Sequence, residues 1–137
     1  MLSFSFFFEG FTESPTAREI ALEISFDSES KLHYFKLINN SYKEFITSDF
    51  ITRYSRINMV DCNGREGDFF ATVTSSIRIQ TGESRIWKSD IYNHFRSNSN
   101  CSTGDVCKFY WKVFELDKNL KKGEYKEYRS EVIEITL

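Results

Sequence analysis

The stretch FFATVTSSIRIQTGESRIWK, Phe69 to Lys88, decides how the rest of the chain is read. Phe69, Ala71 and Val73 point one way and Phe70, Thr72 and Thr74 the other, the period-2 pattern of a strand built of aromatic and β-branched residues. Ser84-Arg85-Ile86-Trp87-Lys88 reads as a returning strand. Between them the sequence predicts an exposed arm carrying Ser75, Ser76, Arg78, Gln80, Thr81, Gly82, Glu83, Ser84 and Arg85. A hairpin closes with about two to five loop residues, so this arm is longer than closure requires. It is tipped with Arg, Gln, Thr and Ser, side chains that contact phosphates and fork onto base edges. An ordinary polar hairpin has the same composition, so the arm alone leaves both readings open.

Working outward, the alternation continues. Ile20, Leu22, Ile24 and Phe26 alternate with Ala21, Glu23 and Ser25, and Asp27-Ser28-Glu29-Ser30 reads as the turn into a strand from Lys31 to Ile38. Further strands are expected at Ile57–Val60, at Val106–Leu116 with Cys107, Phe109, Trp111 and Val113 on one face, and at Glu131–Leu137. Phe4, Phe6 and Phe8 suggest an edge strand near the start. Asn63-Gly64 is the strongest turn signal, and Asp117–Lys126 reads as a charged turn. Two short helices are expected. One runs from an N-cap at Ser48 to Tyr54, with Phe50, Ile51 and Tyr54 apolar; the other runs from a cap at Ser89 to Phe95. The fold class this predicts is mainly β: a seven-stranded open or pseudo β-barrel with a short helix at each end, one domain over residues 1–137.

Fourteen Phe, seven Tyr and a single Pro favour sheet over helical bundle. The formal net charge of −2 argues at first against a polyanion partner. The charge is uneven, however: residues 1–30 carry −5, residues 31–100 carry +3 and residues 101–137 are neutral. A local basic face fits that division better than a basic protein. Cys62, Cys101 and Cys107 are an odd number without a CxxC pair, so neither a disulfide framework nor a zinc knuckle is indicated and buried thiols in a reducing compartment are expected. The opening MLSFSFFFEGF lacks the basic start of a signal peptide and is stopped by Glu9, and no run approaches the ~20 apolar residues of a membrane span. The expected location is cytoplasmic, with no membrane partner.

Catalytic chemistry finds few candidates. Only His33 and His94 are present, His33 alternating within a strand and His94 on the polar side of a short helix, and both read as structural or solvated. There is no glycine-rich phosphate loop, GxSxG or HExxH. Asp105 followed by Glu124-Tyr125-Lys126 has the pattern of a metal-dependent nuclease, but Glu124 stands in an exposed turn beside Lys121 and Lys122, where metals would not be held rigidly. The expectation is no catalytic residue, no metal and no cofactor.

One longer pattern stands above this background. His33-Tyr34-Phe35-Lys36-Leu37 leads through a polar loop to Ile46-Thr47-Ser48-Asp49-Phe50. After that come Asn63-Gly64-Arg65, the arm, Trp87-Lys88, a short helix ending in Phe95, and Thr103-Gly104-Asp105-Val106-Cys107-Lys108-Phe109. In order and spacing this resembles the B3-like DNA-binding pseudobarrel family over about residues 32–116, with Gly104-Asp105-Val106-Cys107 its most specific element. Thr47 stands where that family usually has proline, and a long Ser/Asn loop precedes Gly104. The family occurs in plant transcription factors and in the recognition domains of restriction endonucleases of the EcoRII and BfiI type. The added strands at Ile20–Phe26 and Glu131–Leu137 look more like the latter.

The resemblance implies sequence-specific binding of double-stranded DNA by two loop arms in the major groove, as the effector domain of a restriction endonuclease whose nuclease domain is a separate, fused partner. The first arm would comprise Lys36, Asn39, Asn40, Ser41, Tyr42 and Lys43. The second would comprise Ser76, Arg78, Gln80, Thr81, Glu83, Ser84 and Arg85. Lys31, Arg53, Arg56, Trp87 and Lys88 would meet phosphates. The isolated domain would be monomeric. Two alternatives stay open: a plant-type transcription-factor domain, which would be nuclear, and a β-barrel module that binds protein or carbohydrate through Trp87 and Tyr42.

Overall fold

The computed structural model describes residues 19–49, 55–69, 75–116 and 126–137. Ten strands and one helix follow one another there: β1 (Ile20–Asp27), β2 (Leu32–Asn39), β3 (Phe45–Ser48), β4 (Ser55–Val60), β5 (Glu66–Phe69), β6 (Ser76–Ile79), β7 (Ser84–Ser89), α1 (Ile91–Asn98), β8 (Val106–Glu115), β9 (Lys126–Arg129) and β10 (Ile133–Thr136). The protein is mainly β, and among the described residues its sheets stay open rather than closing into a barrel.

Two antiparallel sheets form because two strands alternate strictly. In β2, His33, Phe35, Leu37 and Asn39 are buried while Leu32, Tyr34, Lys36 and Ile38 are half-exposed. In β8, Cys107, Phe109, Trp111, Val113 and Glu115 are buried. A strand presents every second side chain to one face, so each of these offers an apolar face that must be covered. β2 is the centre of a three-stranded sheet ordered β1-β2-β7. β8 is the spine of the larger sheet, ordered β5-β4-β8-β3-β6, and also pairs with β9 and β10. The two inner faces meet through aromatic rings. Trp111 approaches Phe35 edge-on at 5.3 Å, Phe109 lies 5.9 Å from Phe35, and Trp87 lies 6.1 Å from Trp111. Burying each such ring contributes roughly 1.5–3 kcal/mol, with edge-on contact adding to it.

The helix is held by Ile91 and Phe95, four residues apart and therefore on one face, both buried. Its N-cap is Asp90, whose side chain makes no capping bond. Ser89, the expected cap, instead ends β7 opposite His33. The Asn63-Gly64 turn is present. Gly64 has φ +80°, and Asp61 Oδ1 accepts the backbone N–H groups of Asn63 and Arg65 at 2.9 and 3.0 Å. Only glycine takes that backbone conformation without strain.

Several expectations need correction. The arm is not a hairpin: β6 pairs with β3 and β7 pairs with β2, so the two halves belong to different sheets. Ile77 and Ile79 alternate with Ser76 and Arg78, and this short strand was hidden by its polar neighbours. β3 and β5 are likewise unanticipated strands. Ser48 ends β3, buried and opposite Ser76, where a helix cap was expected. The rest of that helix (50–54), the strand expected over 70–74, most of the charged turn (117–125) and the opening phenylalanines lie outside the described residues. Cys62 and Cys101 are joined as a disulfide with Cα atoms 5.9 Å apart, and only Cys107 is a free, buried thiol. The partners are 39 residues apart, and it is the fold that brings the β4–β5 turn against the loop after α1. No helix among the described residues is long and apolar enough to cross a membrane.

Candidate functional site

The two polar loops singled out in the sequence meet at one end of the molecule. β2 ends at Asn39 and β7 begins at Ser84, opposite Ile38, while β6 ends at Ile79, opposite Phe45. The segments 40–44 and 80–83 are therefore neighbours by register. Asn39 fastens them. It is fully buried, and its Nδ2 donates to the carbonyls of Lys43 at 2.9 Å and Ile79 at 2.8 Å. Its Oδ1 accepts from the Ser41 N–H at 3.0 Å and the Ser41 hydroxyl at 2.6 Å. The Asn39 backbone adds two bonds, accepting from Gly82 N–H at 2.8 Å and donating to the Glu83 carbonyl at 3.0 Å. Gly82, at φ +84°, makes the tight return possible, closed by Glu83 N–H to the Gln80 carbonyl at 2.9 Å.

This arrangement corrects two assignments. A carboxamide has two donors and two acceptor positions, and Asn39 spends all four inside the protein. Asn39 and the equally buried Ser41 are structural braces and present nothing to a base. Side chains that do reach solvent at this rim are Asn40, Tyr42, Lys43, Arg78, Gln80, Thr81, Glu83, Ser84 and Arg85. Tyr42 is the most exposed large hydrophobic side chain among the described residues, at 87%.

The rim is charge-balanced. Arg78 donates to Glu44 Oε1 at 2.6 Å and Gln80 Nε2 to Glu44 Oε2 at 2.5 Å, so one carboxylate links the two loops. These bonds, first that from Gln80 and then that from Arg78, hold the Glu44 carboxyl below the usual carboxylate range. Lys43 lies 3.8 Å from Glu115, a buried carboxylate that also accepts from the Tyr128 hydroxyl at 3.3 Å. Burial pushes the Tyr128 hydroxyl pKa up, and the Glu115 charge adds to it. Sequence reasoning missed Glu44 and Glu115. The signal for Glu44 is its place one step beyond the Phe45↔Ile79 pair, legible only once β3 is known to pair with β6. Arg85 makes no ion pair among the described residues, and its guanidinium lies over the Trp87 ring at 5.9 Å.

The expected phosphate contacts scatter. Lys31 stands in the β1–β2 turn over Phe26 and Tyr92, roughly 26 Å along β2 from the rim. Arg56 is 3.4 Å from Asp68 on β5. Trp87 is half-buried and donates its Nε1–H to Asp49 at 3.2 Å. Lys88 lies on the outer face of the small sheet, opposite to Arg85, together with Lys36, which was expected in the first arm and instead stands within β2, three residues short of Asn39. Arg53 lies outside the described residues. The +3 segment is thus distributed over both faces and both ends of β2 and β7, because alternating side chains and antiparallel strands disperse neighbouring charges.

Elsewhere, Asp105 and Lys126 sit at opposite ends of β8, roughly 30 Å apart, so the nuclease pattern is not brought together; Glu124 lies outside the described residues. A cleft of about 150 Å³ at the far end is lined by Met59, Asp61, Arg65, Glu66, His94 and Phe95, among others. His94 there packs on Phe69 at 4.6 Å and meets Asn98 at 3.3 Å. His33 is wedged between Phe26 at 4.5 Å and Phe109 at 5.1 Å, and burial pushes its pKa down to about 4. No protein-family model and no curated protein matches the chain, so the functional reading rests on this geometry.

Proposed function

We propose that the rim binds double-stranded DNA sequence-specifically, as the recognition domain of a restriction endonuclease with its catalytic domain elsewhere, in keeping with the B3-like resemblance. The observation that carries the reading is the Asn39 brace, which turns two polar loops into one fixed edge. Donors and acceptors held in place before binding lose little conformational freedom on contact with base edges. Glu44 does not exhaust its partners. Arg78 keeps further N–H groups for a forked contact, and Gln80 keeps one donor and its carbonyl oxygen. Arg85, Thr81, Ser84, Asn40, Tyr42 and Lys43 complete the reading edge, with Lys36 and Lys88 on the flanking sheet face as phosphate contacts. The rival module that binds protein or carbohydrate needs Trp87 and Tyr42 exposed together. Trp87 is packed against Trp111 with its N–H engaged, which leaves that module only Tyr42.

Selection from a randomised duplex pool at near-physiological salt tests both binding and specificity. Enrichment of a short motif, with an affinity that falls as salt rises by roughly 0.9 log unit per log unit for each phosphate neutralised, is expected. A pool that stays random after several rounds sinks the proposal.

A further inference from the structure

We propose that Cys62, Cys101 and Asp105 form a redox-gated site for a thiophilic divalent cation of the Zn²⁺ class, an inference that does not depend on DNA binding. Two segments remote in sequence meet there: the β4–β5 turn, which carries Cys62, and the loop between α1 and β8, which carries both Cys101 and Asp105. One ligand atom from each residue lies within 4.8 Å of the others, and all three residues are half-buried. That places them within reach of an entering ion yet partly withdrawn from water.

Local bonding positions the ligand atoms. The Cys62 backbone N–H donates to Cys101 Sγ at 3.2 Å, which holds that sulfur at the β4–β5 turn. Asp105 Oδ2 accepts from the Ser102 N–H at 2.8 Å, which aims the carboxylate and, among the described residues, leaves its other oxygen for an ion. The Asp105 backbone is itself pinned, accepting from Leu137 N–H at 2.9 Å and donating to the Ser102 carbonyl at 3.0 Å. A tetrahedral ion with metal–sulfur bonds near 2.3 Å separates its ligand atoms by roughly 3.5–3.8 Å. The two sulfurs must part by under about 2 Å from a disulfide to reach that spacing, a movement within rotation of two side chains whose Cα atoms are 5.9 Å apart. Two sulfurs and one carboxylate select Zn²⁺ over Mg²⁺ or Ca²⁺, and water fills the fourth position.

The covalent and metal-bound states exclude each other. A dithiol reductant delivers two electrons and two protons to the Cys62–Cys101 bond and departs as its own disulfide. The ion then displaces the two thiol protons and both sulfurs bind as thiolates. An oxidised dithiol that takes the two electrons from the thiolates, and two protons from water, restores the bond and expels the ion.

The test uses the full chain, reduced with a phosphine and titrated anaerobically with Co²⁺. One Co²⁺ per chain is expected, with thiolate-to-metal charge-transfer absorption that Zn²⁺ abolishes, and no such band in the oxidised chain. Asp105→Asn keeps the acceptor for Ser102 and is expected to weaken Co²⁺ binding at least tenfold with unchanged far-UV circular dichroism. It carries the test even where Cys62→Ser fails to fold. Cys107→Ala, which removes a fully buried thiol outside the set, is expected to leave binding unchanged. A reduced chain without the band, a band indifferent to Asp105→Asn, or one lost in Cys107→Ala overturns the site.

Discussion

The two ends of β2 are buried alike and satisfied differently. At one end Asn39 is fully enclosed and makes four side-chain hydrogen bonds. At the other, His33 is 2% exposed, and its Nδ1 and the Oγ of the facing Ser89 have no hydrogen-bond partner among the described residues. Burial of a polar group stabilises a fold only when its bonds are replaced. The braced end carries the exposed loops. The other end, next to the helix, stays folded on aromatic packing around His33. One strand thus joins a fixed edge to an end whose stability depends on pH.

The largest expected effect breaks the braced end. Asn39→Ala takes the amide partner from the Ile79 carbonyl and the Ser41 N–H, each costing roughly 1–3 kcal/mol, while the Lys43 carbonyl keeps the Ser41 hydroxyl at 2.8 Å, so a loss of about 4 kcal/mol is expected in urea unfolding. A loss below about 1 kcal/mol would show that the loops hold together without the brace. Next comes the histidine end. His33 stays neutral in the fold, with a pKa near 4, against about 6.5 in the unfolded chain. Between those values only the unfolded chain takes up the proton. Stability is therefore complete above pH 6.5, falls as the pH is lowered, and levels off near 4. The total is about 3 kcal/mol. Carboxylates titrate in the same range, so the measurement is the difference between the protein and His33→Phe from pH 7 to 4.5. Parallel curves for the two would refute the assignment.

Smaller effects sharpen the rim itself. Arg85, stacked on Trp87 and free of any described ion pair, is expected to lose ~1–3 kcal/mol against the selected duplex alone when changed to alanine. Lys88→Ala, on the opposite face of the same strand, should weaken selected and random duplex alike. Equal behaviour of the two variants would mean that β7 carries no reading residue. The smallest expected effect belongs to Glu44→Gln. Its pair with Arg78 is exposed, so the unfolding midpoint should not move measurably. Losing the negative charge should instead tighten random-duplex binding a few-fold, and weakened binding would recast Glu44 as the support that aims Arg78.

Strand content was legible wherever alternation was strict, as in Ile20–Asp27, Leu32–Asn39 and Val106–Glu115. The short strands β3, β5 and β6 were not, since four residues give too few alternations to stand above their polar neighbours. Of the exposed rim residues read as polar arm positions, Asn40, Tyr42, Lys43, Gln80, Thr81 and Glu83 lie in loops, while Arg78, Ser84 and Arg85 lie on strands β6 and β7. Asn39 and Ser41 were picked with them, because sequence does not distinguish an amide that faces water from one that ties down a turn.

Local chemistry by itself determined which residues point together along each strand, the Asn63-Gly64 turn and the apolar face of the helix, since these follow from backbone periodicity and allowed φ. Only the tertiary structure decided that β6 and β7 part into different sheets, that Glu44 meets Arg78 and Gln80, and that Cys62 reaches Cys101. Each of these is a contact between segments separated by more than thirty residues. Their encounter is set by how two sheets share one aromatic core, and no spacing within a single segment records that.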